Sequence, residues 1–193
     1  MEELNINNVY IKKEDVENFF NHVDINVKIN NLKNVHVNNI GLSNKVGKEI
    51  FYYSPETSVL TSTKNIINYK NVNKINCSIT TLDSYVEEFK IKSIDFIKCD
   101  VEGAELYVLE GGLRTIKNFK PILFLELFHE WSKRFGYHPS EVFELLLSIG
   151  YEAFLPINGK LELTKGYVGE DFDKQNYFFL QKRKHEKIIS KLS

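Results

Sequence analysis

Short apolar runs alternate along this chain with segments whose apolar residues recur at helical spacing, which predicts strands alternating with helices. Val9-Tyr10-Ile11 reads as a short strand. From Asp15, the positions Phe19, Phe20, Val23, Val27 and Ile29 predict a helix that stops at Asn30-Asn31. Val35 to Leu42 alternates in part and reads as a strand. Ser43 to Lys48 reads as a turn and Glu49 to Tyr53 as a second strand, so the two should form a hairpin. Ser54 to Asn71 is polar and without period, is broken by Pro55, and reads as a surface loop or a segment that orders on a ligand.

Asn76 to Thr80 predicts a strand, and Leu82 to Phe89 a short helix capped by Thr81 or Asp83. Ile94 to Cys99 predicts a buried strand. Ala104, Leu106, Val108 and Leu109 then predict a helix running to about Asn118. Pro121 to Phe128 is almost wholly apolar, the pattern of a parallel strand covered on both faces. Pro139 to Ile149 predicts a helix with Ser140 as N-cap and Gly150 as its stop. Tyr151 to Ile157 and Lys160 to Leu163 flank Asn158-Gly159, a type I′ turn pair, and predict a hairpin; Asn176 to Leu180 is the last strand. This order predicts an α/β fold with a mostly parallel sheet that finishes in a hairpin and a late strand. No repeat or linker divides the chain, so residues 1–193 read as one domain, with 183–193 as a basic tail.

Composition narrows the partners. A formal net charge of −1 gives no electrostatic case for nucleic acid. The basic run Gln181 to Lys191 reads as a solvated, frayed tail, with a membrane or phosphate patch as the alternative. No apolar run approaches the roughly 18 residues of a membrane span, and no signal-peptide pattern opens the chain. A cytoplasmic protein without a membrane partner is therefore expected. Cys77 and Cys99 suggest no disulfide framework, and Cys99 falls inside an apolar strand as a core residue.

The chemistry concentrates after Cys99. Asp100, Glu102, Gly103 and Glu105 follow the strand and open the next helix, at the carboxyl end where ligands bind in open α/β sheets. Helix capping is the alternative role for any one of these acids. Glu126 interrupts the apolar run Leu125-Glu126-Leu127, where a charge is costly unless paired or facing a cleft. His129 is the histidine best placed to act as a base beside it, or is a loop residue without a role. Clustered carboxylates could hold a divalent cation, but no further ligand set is apparent and no metal is expected. Phe128, Trp131 and Tyr137 could line an acceptor pocket or belong to the core.

Asp100-Val101-Glu102-Gly103-Ala104-Glu105, preceded by Ile97-Lys98 and followed by Val108-Leu109-Glu110-Gly111, resembles the signature of the FkbM family of S-adenosylmethionine-dependent methyltransferases. So do Thr81 to Tyr85, Pro121 to Glu126 and Asn31 to Val35, in matching order from about Asp15 to Lys182. The resemblance implies a Rossmann-like class I methyltransferase sheet whose final strand inserts antiparallel. It implies O-methylation of a hydroxyl on a sugar, a glycan or a small natural product. It also implies catalytic roles among Asp100, Glu102, Glu105, Glu126 and His129, and an adenine site at Gly41-Leu42-Ser43, with Asp100 facing the methyl group.

The family's first strand and glycine-rich turn have no counterpart between Met1 and Val9, and Lys13-Glu14 stands where an acid-proline pair is expected to hold the ribose. Glu14 could serve in its place. A non-catalytic or truncated relative acting as a binding module is therefore the alternative to the enzyme. A hydrolase using Asp100 and Glu126 as paired carboxylates is a third reading.

Overall fold

The computed structural model describes residues 23–54, 57–64, 73–169 and 175–192. The expected strand Val9 to Ile11, the start of the first helix and Glu14 lie outside the described residues. The chain forms two compact units, one taking residues up to Gly41 and Lys48–Ser78, the other Leu42–Gly47 and Ile79–Ser193.

In the first unit, residues 23–29 are helical (α1). The helix ends as its sequence predicts: Asn31 takes φ +51°, its N–H donates to Lys28 O, and Leu32 N–H donates to Val27 O. That pairing satisfies the last carbonyls of the helix. Strands β1 (Gly41–Leu42), β2 (Gly47–Ser54), β3 (Thr57–Ser62) and β4 (Asn73–Thr80) follow, ordered β1-β4-β2-β3 in one sheet. Two expectations are corrected here. The strand read over Val35 to Leu42 is confined to its last two residues, and it does not pair as a hairpin with β2, because β4 lies between them. Instead β2 pairs antiparallel with β3, inside the segment read as a loop. As the outer strand, β3 needs no alternating apolar face, and its Thr and Val residues favour extended backbone.

The second unit begins with α2 (Leu82–Glu88), where Thr81 Oγ1 accepts the Ser84 N–H at 3.0 Å as N-cap. Asp83, the other candidate, works elsewhere. Its carboxylate accepts from Thr115 N (2.8 Å) and Arg114 N (3.2 Å), so it caps α4 (Leu113–Phe119) across the helix pair. The single helix expected after the acidic turn is two: α3 (Glu105–Gly111) stops at Gly112 and α4 restarts. Close approach explains the glycines at the break. A Cβ on Gly111 would stand 2.1 Å from Ser43 O, and one on Gly112 2.7 Å from a Leu82 methyl.

Strands β5 (Phe96–Cys99), β6 (Ile122–Leu127), β7 (Tyr151–Ile157), β8 (Lys160–Thr164) and β9 (Gln175–Gln181) form a sheet ordered β5-β6-β9-β7-β8. β5 and β6 are parallel; β9 lies between β6 and β7, antiparallel to both, and β8 is antiparallel to β7. The sheet is therefore mixed, not mostly parallel, since inserting the late strand turns its neighbouring ladders antiparallel. β5, β6 and β7 still share one direction. Asn158 (φ +52°) and Gly159 (φ +77°) make the predicted tight turn between β7 and β8.

One face of this sheet carries the main core. Leu123, Leu125, Leu127, Tyr177 and Phe179 are essentially inaccessible and pack with Leu109, Ile116, Val142 and Leu146 of the helices. The opposite face is thinner, with Phe154, Leu161 and Leu180 buried and Ile122, Phe178 and Ile189 partly so. After β6 come α5 (His129–Ser132), a 3-10 turn (Lys133–Phe135) and α6 (Pro139–Ser148). The N-cap of α6 is His138, not Ser140: its ring accepts from Ser140 N while Glu141 accepts from His138 N, with Pro139 at the first helical position. The frayed tail is also corrected. Residues Lys182–Leu192 form α7, bent at His185, whose buried ring accepts the Gln181 N–H at 3.0 Å. Among the described residues, no helix is long and apolar enough to cross a membrane.

Candidate active site

The parallel register of β5 and β6 brings two sequence-distant acids together. Lys98 lies opposite Phe124 and Cys99 opposite Leu125. One residue further, Asp100 falls beside Glu126. Side chains alternate along a strand, so Lys98 and Asp100 share a face, and Lys98 Nζ reaches Asp100 Oδ2 at 2.9 Å. That bond raises the Lys98 pKa, the hydrogen bond coming first and the Asp100 charge adding to it. Lys98 was not singled out from the sequence, though the two-residue spacing on a predicted strand was the available signal.

Beyond Asp100 the backbone turns sharply. Glu102 has φ +55° and Gly103 φ +99°. The first is unfavourable for a residue with a Cβ, on the order of 1–3 kcal/mol, and persists only where its surroundings enforce it. Glu105 supplies that enforcement. Its side chain is buried, and one oxygen accepts both the Val101 N–H (3.1 Å) and the Gly103 N–H (3.2 Å). The other accepts the Tyr137 hydroxyl at 3.2 Å, while that hydroxyl oxygen accepts the Leu106 N–H. Burial pushes the Glu105 carboxyl above its ordinary value, and these hydrogen bonds oppose the shift. Gly103 also passes under α5, where a Cβ would stand 2.9 Å from the Trp131 carbonyl carbon.

The turn presents Glu102 toward Asp100 and Glu126. One carboxylate oxygen from each lies within 4.8 Å of the others, Asp100 being exposed and the glutamates partly buried. Such an arrangement can take a proton from a bound group, attract a cationic ligand, or hold a divalent cation through hard oxygen donors. Of the five acid and histidine candidates, the structure gathers these three. Glu105 faces inward, beneath the turn. His129 opens α5, and its ring lies tilted against that of His138 at 4.5 Å between centroids, with His138 edge-on to Tyr167. Phe128 and Trp131 meet edge to face at 5.1 Å, whereas Tyr137 is a core residue bonded to Glu105.

At the adenine candidates, Ser43 is buried and its N–H is taken by Thr80 O at 2.9 Å. Leu42 packs at the margin of the main core, and Gly41 belongs to the first unit. Cys99 is an inert core thiol, its pKa pushed well up by burial and then by the charges of Glu105 and Asp100.

The methyltransferase FkbM domain family model matches residues 3–153. Among solved structures, the chain is similar to a methyltransferase FkbM from Methylobacillus flagellatus KT, with 18% identity and a TM-score of 0.48. The match covers 86% of this chain and 34% of that one, so the chain spans about a third of that protein's length. No curated protein matches it in sequence. The family model extends over most of the sequence, including the acidic turn and β6, and the chain belongs to the FkbM methyltransferase domain family.

Proposed function

We propose that this chain acts as an S-adenosylmethionine-dependent methyltransferase on a hydroxyl of a sugar, a glycan or a small natural product. The observation that carries the reading is the convergence of Asp100, Glu102 and Glu126 where β5 and β6 end, in an FkbM domain. The order β5-β6-β9-β7, with β9 antiparallel, supports it as the later half of a class I methyltransferase sheet.

When bound, the cofactor supplies a methyl group whose bond to sulfur breaks as a bond to the acceptor oxygen forms. The chain's residues must then hold that oxygen in line and take its proton. Asp100 is the base in this reading, with its free lone pairs directed to the acceptor and Lys98 fixing its rotamer. Glu102 and Glu126 bind the acceptor's neighbouring hydroxyls and lend negative potential suited to a sulfonium. Glu105 positions the turn, and His129, beside the edge-to-face pair Phe128 and Trp131, contributes to the acceptor wall. Leu42 and Ser43 line the adenine in this reading.

The test is transfer of a labelled methyl group from S-adenosylmethionine to a panel of monosaccharides and hydroxylated natural products, read by mass spectrometry. Product should form with at least one acceptor, and Asp100→Asn should slow it by roughly 100-fold or more. Cofactor binding without transfer to any hydroxyl would favour the binding-module alternative. Transfer untouched by Asp100→Asn would remove the base from Asp100.

A further inference from the structure

The thinly covered face of the second sheet holds a cavity of about 280 Å³ beneath α7, away from the acidic turn. Phe96, Ile122, Leu161, Phe178, Ile188 and Leu192 line it with almost no polar surface. Three of these remain open to solvent: Phe96 is 50% exposed, Ile188 39% and Leu192 38%. An apolar hollow with exposed large side chains at its rim is an unusual feature for water to face.

Its charge surroundings are equally one-sided. Lys160 stands at the lining, and α7 carries Lys182, Arg183, Lys184, Lys187 and Lys191 against a single acid of its own, Glu186. Lys182 is paired with Glu152 at 3.6 Å and Lys184 donates to Phe119 O, which leaves Lys187 and Lys191 facing out beside the cavity. The whole chain has a formal net charge of −1, so α7, with five basic residues and one acid, carries a local excess of positive charge. Beyond the bend at His185, Ile188, Ile189 and Leu192 share one side of the helix, and Lys187 and Lys191 are exposed. A short helix of low mean hydropathy, with a cationic face and an apolar edge, is suited to the plane of a membrane interface. This arrangement depends on α7 being folded; as a frayed tail, the same residues would gather no such surface.

We propose that α7 and the cavity beneath it form a docking site for an anionic lipid surface, with an acyl chain entering between Phe96, Ile188 and Leu192 and the lysines meeting acidic headgroups. Charge complementarity selects this occupant: the cavity takes hydrocarbon, and its rim calls for negative charge outside it. The site is separate from the acidic turn, and the inference stands or falls independently of methyl transfer.

The test is co-sedimentation of the full chain with vesicles of phosphatidylcholine alone and of phosphatidylcholine with an equal part of phosphatidylglycerol, at low and physiological salt. Binding is expected only to the anionic vesicles and should weaken as salt rises. Lys187→Glu with Lys191→Glu should reduce it by at least about tenfold. Ile188→Asp, at a partly exposed position, should also reduce it, with circular dichroism verifying the fold of both variants. Absence of binding to anionic vesicles would overturn the proposal. So would binding that survives Ile188→Asp, since the cavity would then play no part. A concentration-dependent dimer in sedimentation velocity that Ile188→Asp dissolves would assign the face to a second copy of the chain instead.

Discussion

At the scale of single residues, the acidic turn depends on a carboxylate that is not among those converging at the surface. Glu105 lies beneath Asp100 and Glu102 and ties down the amides that shape the turn. Its folded pKa lies above the ordinary value of 4.5, so the folded chain retains a proton that the unfolded chain releases as pH rises through that interval. The stabilisation this group gives is fullest below 4.5 and declines until the raised pKa is passed. Glu105→Gln imitates the neutral form. Its melting temperature relative to the parent should shift in the variant's favour as pH rises from 4.5 toward neutrality. A difference that stays constant with pH would mean that Glu105 is equally ionised in both states. The sequence located this cluster, because an acidic run after an apolar strand marks a sheet's carboxyl end. It did not separate inward from outward acids: that depends on the turn's positive φ values at Glu102 and Gly103 and on Tyr137, which arrives from a later segment.

At the scale of elements, the helix pair that follows is set by close packing at its break. Gly111 lets α3 approach the Ser43 carbonyl, and a Cβ there would meet backbone that cannot swing aside. Gly159, in the β7–β8 turn, has open space around its missing Cβ and only its φ of +77° to satisfy. Gly111→Ala should therefore lower stability by well over the roughly 1 kcal/mol expected of Gly159→Ala. Chemical denaturation of both variants measures this, and equal losses would contradict the packing account. The two sites also show what local sequence can carry. Asn158-Gly159 announced its turn because the requirement is local, whereas nothing around Gly111 records that residue 43 comes to lie against it. The same division explains β3 and α7. A polar outer strand has no apolar period to reveal it, and a lysine-rich helix is held by tertiary contacts of His185 and Ile189 that composition does not display.

At the scale of the molecule, the sequence of elements in the second unit was legible in outline, since strands and helices alternate, while the antiparallel late strand was implied only by the family resemblance. The share of antiparallel ladders was not legible, because one inserted strand alters the pairing of both its neighbours. The acidic turn and Glu126 lie within the residues that the family model matches, and the proposed activity requires that the donor bind this chain. Calorimetric titration with S-adenosylhomocysteine, alongside Asp100→Ala, tests that requirement most directly. The account predicts saturable binding in the micromolar range, weakened in the variant. A folded chain that takes up no ligand up to millimolar concentration would contradict it.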